Sequence, residues 1–220
     1  MRPQRLVLVV GTGTEVGKTW VSALLLSTLR AAGVTVAARK PAQSFEPLDD
    51  PAGLDAAVLG RATGELPETV CPPKRWYEVA MAPPMAAELL GRPAFDIEEL
   101  AGEITWPADT TVGLIEGAGG VRSPLAADGD VVDLMLELGP DVVVVVADAG
   151  LGTINSVRLS LAALSEVLPS DAGFVVVLNR YDPTDDLHVR NRQWLAERDH
   201  FPVLTLPDDL GRLASLVQGA

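Results

Sequence analysis

Apolar and polar positions alternate along this chain in two rhythms, and the switches between them predict its elements. Short continuous apolar runs read as strands: Leu6 to Val10, Val34 to Arg39, Thr111 to Ile115, Val142 to Val146, Gly173 to Leu178 and Val203 to Leu206. Unbroken β-rich runs of this kind suit strands covered on both faces, as in a parallel sheet. Between them, apolar residues recur at helical spacing. Trp20 to Ala32 sets Val21, Leu24, Leu25 and Leu29 along one side and stops at Gly33. Leu54 to Ala62, Val131 to Leu138, Thr153 to Leu168, Leu187 to Arg198 and Leu210 to Val217 are also predicted helices. Pro84 to Leu90 is a shorter one, ended by Gly91 and Pro93, and Asp96 stands where it would N-cap Ile97 to Ile104. Pro67, Pro72 and Pro73 make Leu66 to Trp76 irregular, and Gln43 to Gly53 reads as a polar, proline-broken loop.

Alternating strands and helices with short links predict an α/β fold: a doubly wound, mostly parallel sheet with helices on both faces. No internal repeat or linker interrupts it, so residues 1–220 read as one domain. Val142 to Val146, the most hydrophobic strand, should be central. In such sheets ligands gather beyond the carboxyl ends of the strands, so the residues that follow each strand are where chemistry is expected.

The first strand end carries the strongest signal. Gly11-Thr-Gly-Thr-Glu-Val-Gly17-Lys18-Thr19 is a close variant of the phosphate-cradling pattern G-x-x-x-x-G-K-[ST], with one more residue between Gly11 and Gly17 and with Gly13 as an inner glycine. Strand, glycine loop and helix start together aim backbone N–H groups and a helix N-terminus at a polyphosphate. Lys18 would meet the β- and γ-phosphates and the Thr19 hydroxyl a Mg²⁺. A dinucleotide site fits less well: about 20 residues on, the chain has Arg39-Lys40, not the acid a ribose needs.

Composition narrows the class further. The net charge is −13, which argues against nucleic acid and against an anionic membrane surface as partners. Lysine occurs only as Lys18, Lys40 and Lys74, and two of these stand at predicted strand ends. The single cysteine, Cys71, allows no internal disulfide and has no His partner in sight. The apolar runs are too short for a membrane span, and a cytoplasmic protein is expected.

The other strand ends add candidates. Glu116 stands where the metal-binding acid of phosphate-loop folds belongs, and Gly117, Ala118, Gly119 and Gly120 after it suggest close backbone approach to a ligand. Lys40 either snorkels to solvent or faces the crevice, where a nearby phosphate favours the second. Asp55 begins a helix and reads equally well as a cap or as a ligand. Gly150, Thr153, Ile154 and Asn155 lie at the start of the long amphipathic helix, a second N-terminus open to an anion. Asn179-Arg180-Tyr-Asp182 is a degenerate echo of a base-reading motif, and Pro207-Asp208 closes the last strand.

Taken together, these stretches resemble the ATP-dependent dethiobiotin synthetases, within the broad phosphate-loop class. The likeness rests on Gly11–Thr19, Lys40-Pro-Ala-Gln-Ser44, Asp55, Ala82-Pro-Pro-Met-Ala-Ala87, Glu116–Gly120, Gly150–Asn155 and Asn179. It implies that ATP drives carboxylation of 7,8-diaminopelargonate and closure of a cyclic urea. The same resemblance casts Lys18, Lys40 and Ser44 as catalytic and Thr19, Asp55 and Glu116 as Mg²⁺ ligands. Gly13, Thr14, Glu15, Val16, Gly17, Lys18, Thr19, Trp20, Glu116, Gly117, Ala118, Gly119, Asn179, Arg180, Pro207 and Asp208 would contact the nucleotide. Ser44, Gly150, Thr153, Ile154 and Asn155 would contact the diamine substrate. A homodimer is also implied.

Three departures from the family pattern stand out. Phe45 replaces a frequent Gly, Arg180 replaces a frequent Asp, and no tyrosine marks the place where the family sends one across the dimer interface. His188-Val-Arg190-Asn191-Arg192 occupies that region, and Arg190, Asn191 and Arg192 are the candidates to replace it. A ligase acting on another amine is therefore an alternative. A partitioning-type ATPase switch is the rival from another class. Such switches usually carry a second lysine just after the first loop glycine, where this chain has Thr12.

Overall fold

The computed structural model describes residues 2–167 and 173–219. Its strands are β1 (Arg5–Gly11), β2 (Val36–Arg39), β3 (Gln43–Ser44), β4 (Trp76–Tyr77), β5 (Val112–Glu116), β6 (Val142–Asp148), β7 (Gly173–Asn179) and β8 (Val203–Thr205). Six of them form one sheet in the order β2-β5-β1-β6-β7-β8, and every neighbouring pair in it is parallel. The helices are α1 (Lys18–Ala31), α2 (Asp55–Thr63), α3 (Pro67–Val70), α4 (Pro83–Leu89), α5 (Ile97–Glu103), α6 (Val131–Leu138), α7 (Thr153–Ser165), α8 (Asp186–Gln193) and α9 (Leu210–Gln218). No helix among the described residues is long and apolar enough to cross a membrane.

The period of two along each strand divides the core between the faces of the sheet. Leu6, Leu8 and Val10 of β1 join Val143 and Val145 of β6 on one face, with α6 and α7 supplying Val132, Met135, Val157 and Leu161. Val7 and Val9 join Val142, Val144 and Val146 on the other, against Leu25 and Leu29 of α1, Leu59 of α2 and Leu213 of α9. Full burial of a Leu or Val side chain contributes about 1.5–3 kcal/mol, so both helix layers are held mainly by these stripes. β1 and β6 are the two middle strands, as the hydrophobicity of Val142 to Val146 predicts.

Most boundaries move by one or two residues. The larger differences lie between β2 and β5. The predicted loop Gln43 to Gly53 contains β3, which pairs with β4, and a 3₁₀ turn, Pro51–Gly53. The predicted irregular segment holds α3 and a second 3₁₀ turn, Pro73–Arg75. Each of these turns begins on a proline, whose fixed φ and missing N–H suit a first helical position; the same prolines that forbid a long helix start short ones. Helix α8 passes into a π-helical turn, Trp194–Arg198. The predicted end of α7, Leu168, lies outside the described residues.

The chain runs from β1 through α1 to β2 on one side of the sheet, then from β5 through α6 to β6 on the other side of β1. The loop after β1 therefore sits at the point where the strand order reverses, with the ends of β2, β5 and β6 around it. That is where an open α/β sheet forms its crevice.

Candidate active site

The loop after β1 is shaped by its own backbone. Glu15 and Gly17 both have positive φ, 57° and 93°. Gly17 has no alternative, because a Cβ there would lie 2.0 Å from Asn179 Nδ2. Asn179, the last residue of β7, donates to Val16 O at 3.0 Å. Arg180, itself at φ 55°, donates to Glu15 O at 3.1 Å. The predicted base-reading residues thus brace the phosphate loop from behind. Lys18 turns back along the loop and donates to Gly13 O at 3.0 Å and to Gly119 O at 2.8 Å, tying the loop after β5 to the loop after β1.

Beside this loop lies a cluster of opposite charges. Lys40 follows the end of β2, where its N–H is held by Val70 O at 2.8 Å. Its side chain is buried at 2% exposure, so it faces the crevice and does not snorkel. Lys40 Nζ meets Asp55 Oδ2 at 2.7 Å, Glu116 Oε1 at 2.9 Å and Gly117 O at 3.1 Å. Glu116, at the tip of β5, is fully buried. Thr19 Oγ1 lies 2.7 Å from Asp55 Oδ1 and 2.8 Å from Glu116 Oε1. Ser22, one turn along α1, donates to Glu116 Oε2 at 2.8 Å.

The protonation of the cluster follows from these contacts. Burial pulls Lys40 down, but Asp55 and Glu116 outweigh it, so Lys40 is held well above the ordinary lysine range. Burial pushes Asp55 up, and Lys40 more than reverses this, leaving the carboxyl below its ordinary value. Lys18 is lowered to about 8, first by burial and then by the neighbouring Lys40.

Asp55 does not cap its helix. Leu54 holds the N-cap place of α2 without a side-chain bond, and Asp55 is the first helical residue with its carboxylate turned to Thr19 and Lys40. A residue with no sequence signal does the capping instead: Gln43 Oε1 accepts from Ala56 N at 3.0 Å. The donor set suits a hard cation. One hydroxyl proton on Thr19 cannot serve two carboxylate oxygens at once, and three oxygens converging this closely are what Mg²⁺ takes, usually together with phosphate and water. No group of three or more His, Cys, Asp or Glu that could hold a metal occurs among the described residues, so phosphate oxygens would have to complete the shell.

A cavity of about 470 Å³ opens over this cluster, lined by Thr14, Glu15, Gly17, Lys18, Thr19, Lys40, Gln43, Ser44, Asp55, Ala118, Gly119 and Arg180. A second, of about 640 Å³, shares Thr14, Glu15, Ser44, Ala118 and Gly119 with it and extends over the β3 and α4 side. The first carries both lysines and Asp55; the second is mixed, with Phe45, Met81, Ala82, Pro83 and Pro124 beside Glu46, Asp49 and Ser123. Ser44 stands on the wall common to both, its hydroxyl donating to Met81 O at 2.6 Å.

Several expected residues do not line either cavity. Trp20 is about half exposed on α1, and Pro207 and Asp208 are exposed past the end of β8. Gly150, Thr153, Ile154 and Asn155 form the start of α7, where the Thr153 hydroxyl is buried without a partner. Asn191 is corrected: it is buried and donates to Ala149 O and Gly150 O, both at 2.9 Å. Its amide fastens the loop before α7 within its own chain and is not free to reach a second copy. Arg190 is paired with Asp186 at 2.6 Å. Sequence reasoning also missed Ser22, although a polar residue on the buried face of α1 was a signal.

A parallel α/β sheet with a glycine-lysine-threonine loop at its switch point, and with a buried acid at the end of the next strand, defines a phosphate-loop nucleotide-dependent enzyme. The model of an AAA domain family matches residues 5–208. The chain is 39% identical over 200 residues to the ATP-dependent dethiobiotin synthetase BioD of Haloferax mediterranei, covering 90% of this chain and 82% of that protein. With the enzyme of the same name from Anaeromyxobacter dehalogenans it shares 36% over 214 residues, 94% and 93% of the two chains. The chain belongs to the ATP-dependent dethiobiotin synthetases. Among solved structures, a plasmid partition protein from Borrelia burgdorferi superposes with a TM-score of 0.55 at 12% identity, over 99% of this chain and 97% of the other. At that identity the likeness shows the fold alone.

Proposed function

We propose that this chain, as one domain, joins CO₂ to 7,8-diaminopelargonate and closes the cyclic urea of dethiobiotin at the expense of ATP. The observation that carries the reading is Lys40, a buried cation held between Asp55 and Glu116 on the wall of the cavity that the phosphate loop also lines.

One amine of the substrate adds to CO₂ and loses a proton, giving a carbamate. A carbamate oxygen attacks the γ-phosphorus of ATP and ADP leaves. The second amine then attacks the carbonyl carbon of this mixed anhydride, the ring closes and phosphate departs. Lys18 and the loop amides hold the polyphosphate. Lys40 stabilises charge on the carbamate and on the phosphoryl group in transfer, an effect whose loss typically costs about 10²–10³ in rate. Ser44 hydrogen-bonds the carbamate where the two cavities meet. Thr19, Asp55 and Glu116 would hold Mg²⁺, which would supply neutralisation of phosphate charge when bound. The start of α7 lines neither cavity of its own chain, and its free N–H groups are the candidates to take the substrate carboxylate across the homodimer. No side-chain nucleophile is required, because positioning and electrostatics carry the reaction. The protein works in the cytoplasm as a homodimer, with Arg192 the candidate to reach across now that Arg190 and Asn191 are engaged at home.

Supplying ¹⁴C-bicarbonate with ATP, Mg²⁺ and the diamine tests this directly. Label should enter an acid-stable product that co-elutes with dethiobiotin. Label that stays volatile after acid, while ATP is consumed, would overturn the proposal.

A further inference from the structure

Gln43 lines the cavity beside Lys40 and Asp55 and has no part in the reaction described above. Its side chain is buried at 3% exposure. Oε1 accepts from Ala56 N at 3.0 Å, whereas Nε2 is buried with no partner at all. An unpaired buried donor is unfavourable, and the amide cannot escape this by flipping, because that would set donor against donor at Ala56. The carbonyl end therefore decides the orientation.

What that carbonyl holds is the start of α2. The N-cap Leu54 gives no side-chain bond, so the free N–H groups of the first turn depend on an outside acceptor. Gln43 supplies it from β3, the strand that carries Ser44. The capped residue, Ala56, directly follows Asp55. We propose that Gln43 is a positioning residue: by capping α2 from the cavity wall it fixes the Asp55 carboxylate where it can serve the metal. This rests on the reading that Asp55 is a Mg²⁺ ligand. Cap loss alone weakens a helix start, but a cap adjoining a ligand must also change how well that ligand is placed.

The test measures Mn²⁺ binding to the ADP-loaded protein by electron paramagnetic resonance, with nucleotide binding in metal-free buffer measured alongside. Gln43→Met, which removes the acceptor at similar size, should weaken Mn²⁺ about 10-fold and leave metal-free ADP binding unchanged. Gln43→Asn, too short to reach Ala56 N–H, should do the same if the Met variant does not fold. Gln43→Glu keeps the acceptor and should bind Mn²⁺ at least as tightly as the parent. Asp55→Asn is the control for the metal reading. If Asp55→Asn weakens Mn²⁺ while both acceptor-deleting variants bind it normally, the role given to Gln43 is wrong. If Asp55→Asn itself leaves Mn²⁺ binding intact, the metal assignment fails and the role of Gln43 falls with it. Equal loss in Gln43→Glu and Gln43→Met also overturns the capping argument.

Discussion

Replacing Lys40 with methionine isolates the charge at the centre of the site. The stem volume stays nearly the same, so the change removes an ammonium group and little packing. In the native chain that ammonium lies 2.7 Å from Asp55 and 2.9 Å from Glu116. At an effective dielectric of about 20, each contact carries a gross attraction of about 6 kcal/mol. Most of that is offset by the cost of keeping three charges away from water. What remains on deleting one partner of such a buried set is about 3–5 kcal/mol, because an unpaired charge is left behind. Here that charge is chiefly Glu116, which has no exposure; Asp55 is partly open to the cavity. Urea unfolding of the metal-free protein should show Lys40→Met destabilised by about 3–5 kcal/mol. Adding Glu116→Gln should return about half of this, since the neutral amide needs no counter-charge. That return of about 1.5–2.5 kcal/mol, added to the cost of Glu116→Gln alone, is the coupling energy of the double-mutant cycle. A loss below about 1 kcal/mol, or one that Glu116→Gln leaves unchanged, would show that Lys40 does not neutralise the buried acid. The same variant should still bind ADP, through the untouched loop, and lose at least about 10²-fold in turnover.

Other consequences can be checked more briefly. Gly17→Ala places a Cβ against Asn179 at a φ of 93° and should weaken ATP binding by more than about 10-fold, with a loss of about 1–3 kcal/mol in stability; calorimetry and urea unfolding measure both. Glu103 is pushed up by burial but pulled further down by Arg75 and Lys74, so its folded value lies below the ordinary 4.5. Its contribution is then present above pH 4.5 and lost as pH falls through the folded value. Glu103→Gln should cost about 1 kcal/mol at pH 7, because the pair is partly screened by solvent, and progressively less as pH falls through the folded value; thermal midpoints across the acid range decide it. Burial pushes the Cys71 thiol up to about 12, so a disulfide reagent at pH 8 should label it only on unfolding, and fast labelling of the native protein would contradict the packing around it.

The sheet was legible because its strands are buried on both faces. Runs such as Val142–Val146 admit no helix of that length and need cover on either side. The phosphate loop, Glu116 and Lys40 were legible because chemistry gathers at strand ends, a rule of topology that sequence order alone can apply. Asp55 was ambiguous, since a carboxylate at a helix start is as often a cap as a ligand; only the place of Leu54 and the arrival of Gln43 at Ala56 decide between them. Gln43 itself could not be found, because its partner lies across a loop and no spacing encodes the meeting. Asn191 was noticed for its region and misread for its direction. A polar residue on an exposed-looking helix gives no sign that it turns inward to Ala149 and Gly150. The short turns at Pro67 and Pro73 were lost for a similar reason: proline stops a long helix and starts a short one, and the periodicity of four residues is too brief to show which.

The most direct test is the dependence of ADP release on the diamine. With ATP, Mg²⁺ and bicarbonate, the purified protein should release ADP slowly without 7,8-diaminopelargonate and rapidly with it, one ADP for each dethiobiotin formed. ADP release at the same rate with and without the diamine, or release that outruns dethiobiotin, would contradict the account and turn the site into a nucleotide switch.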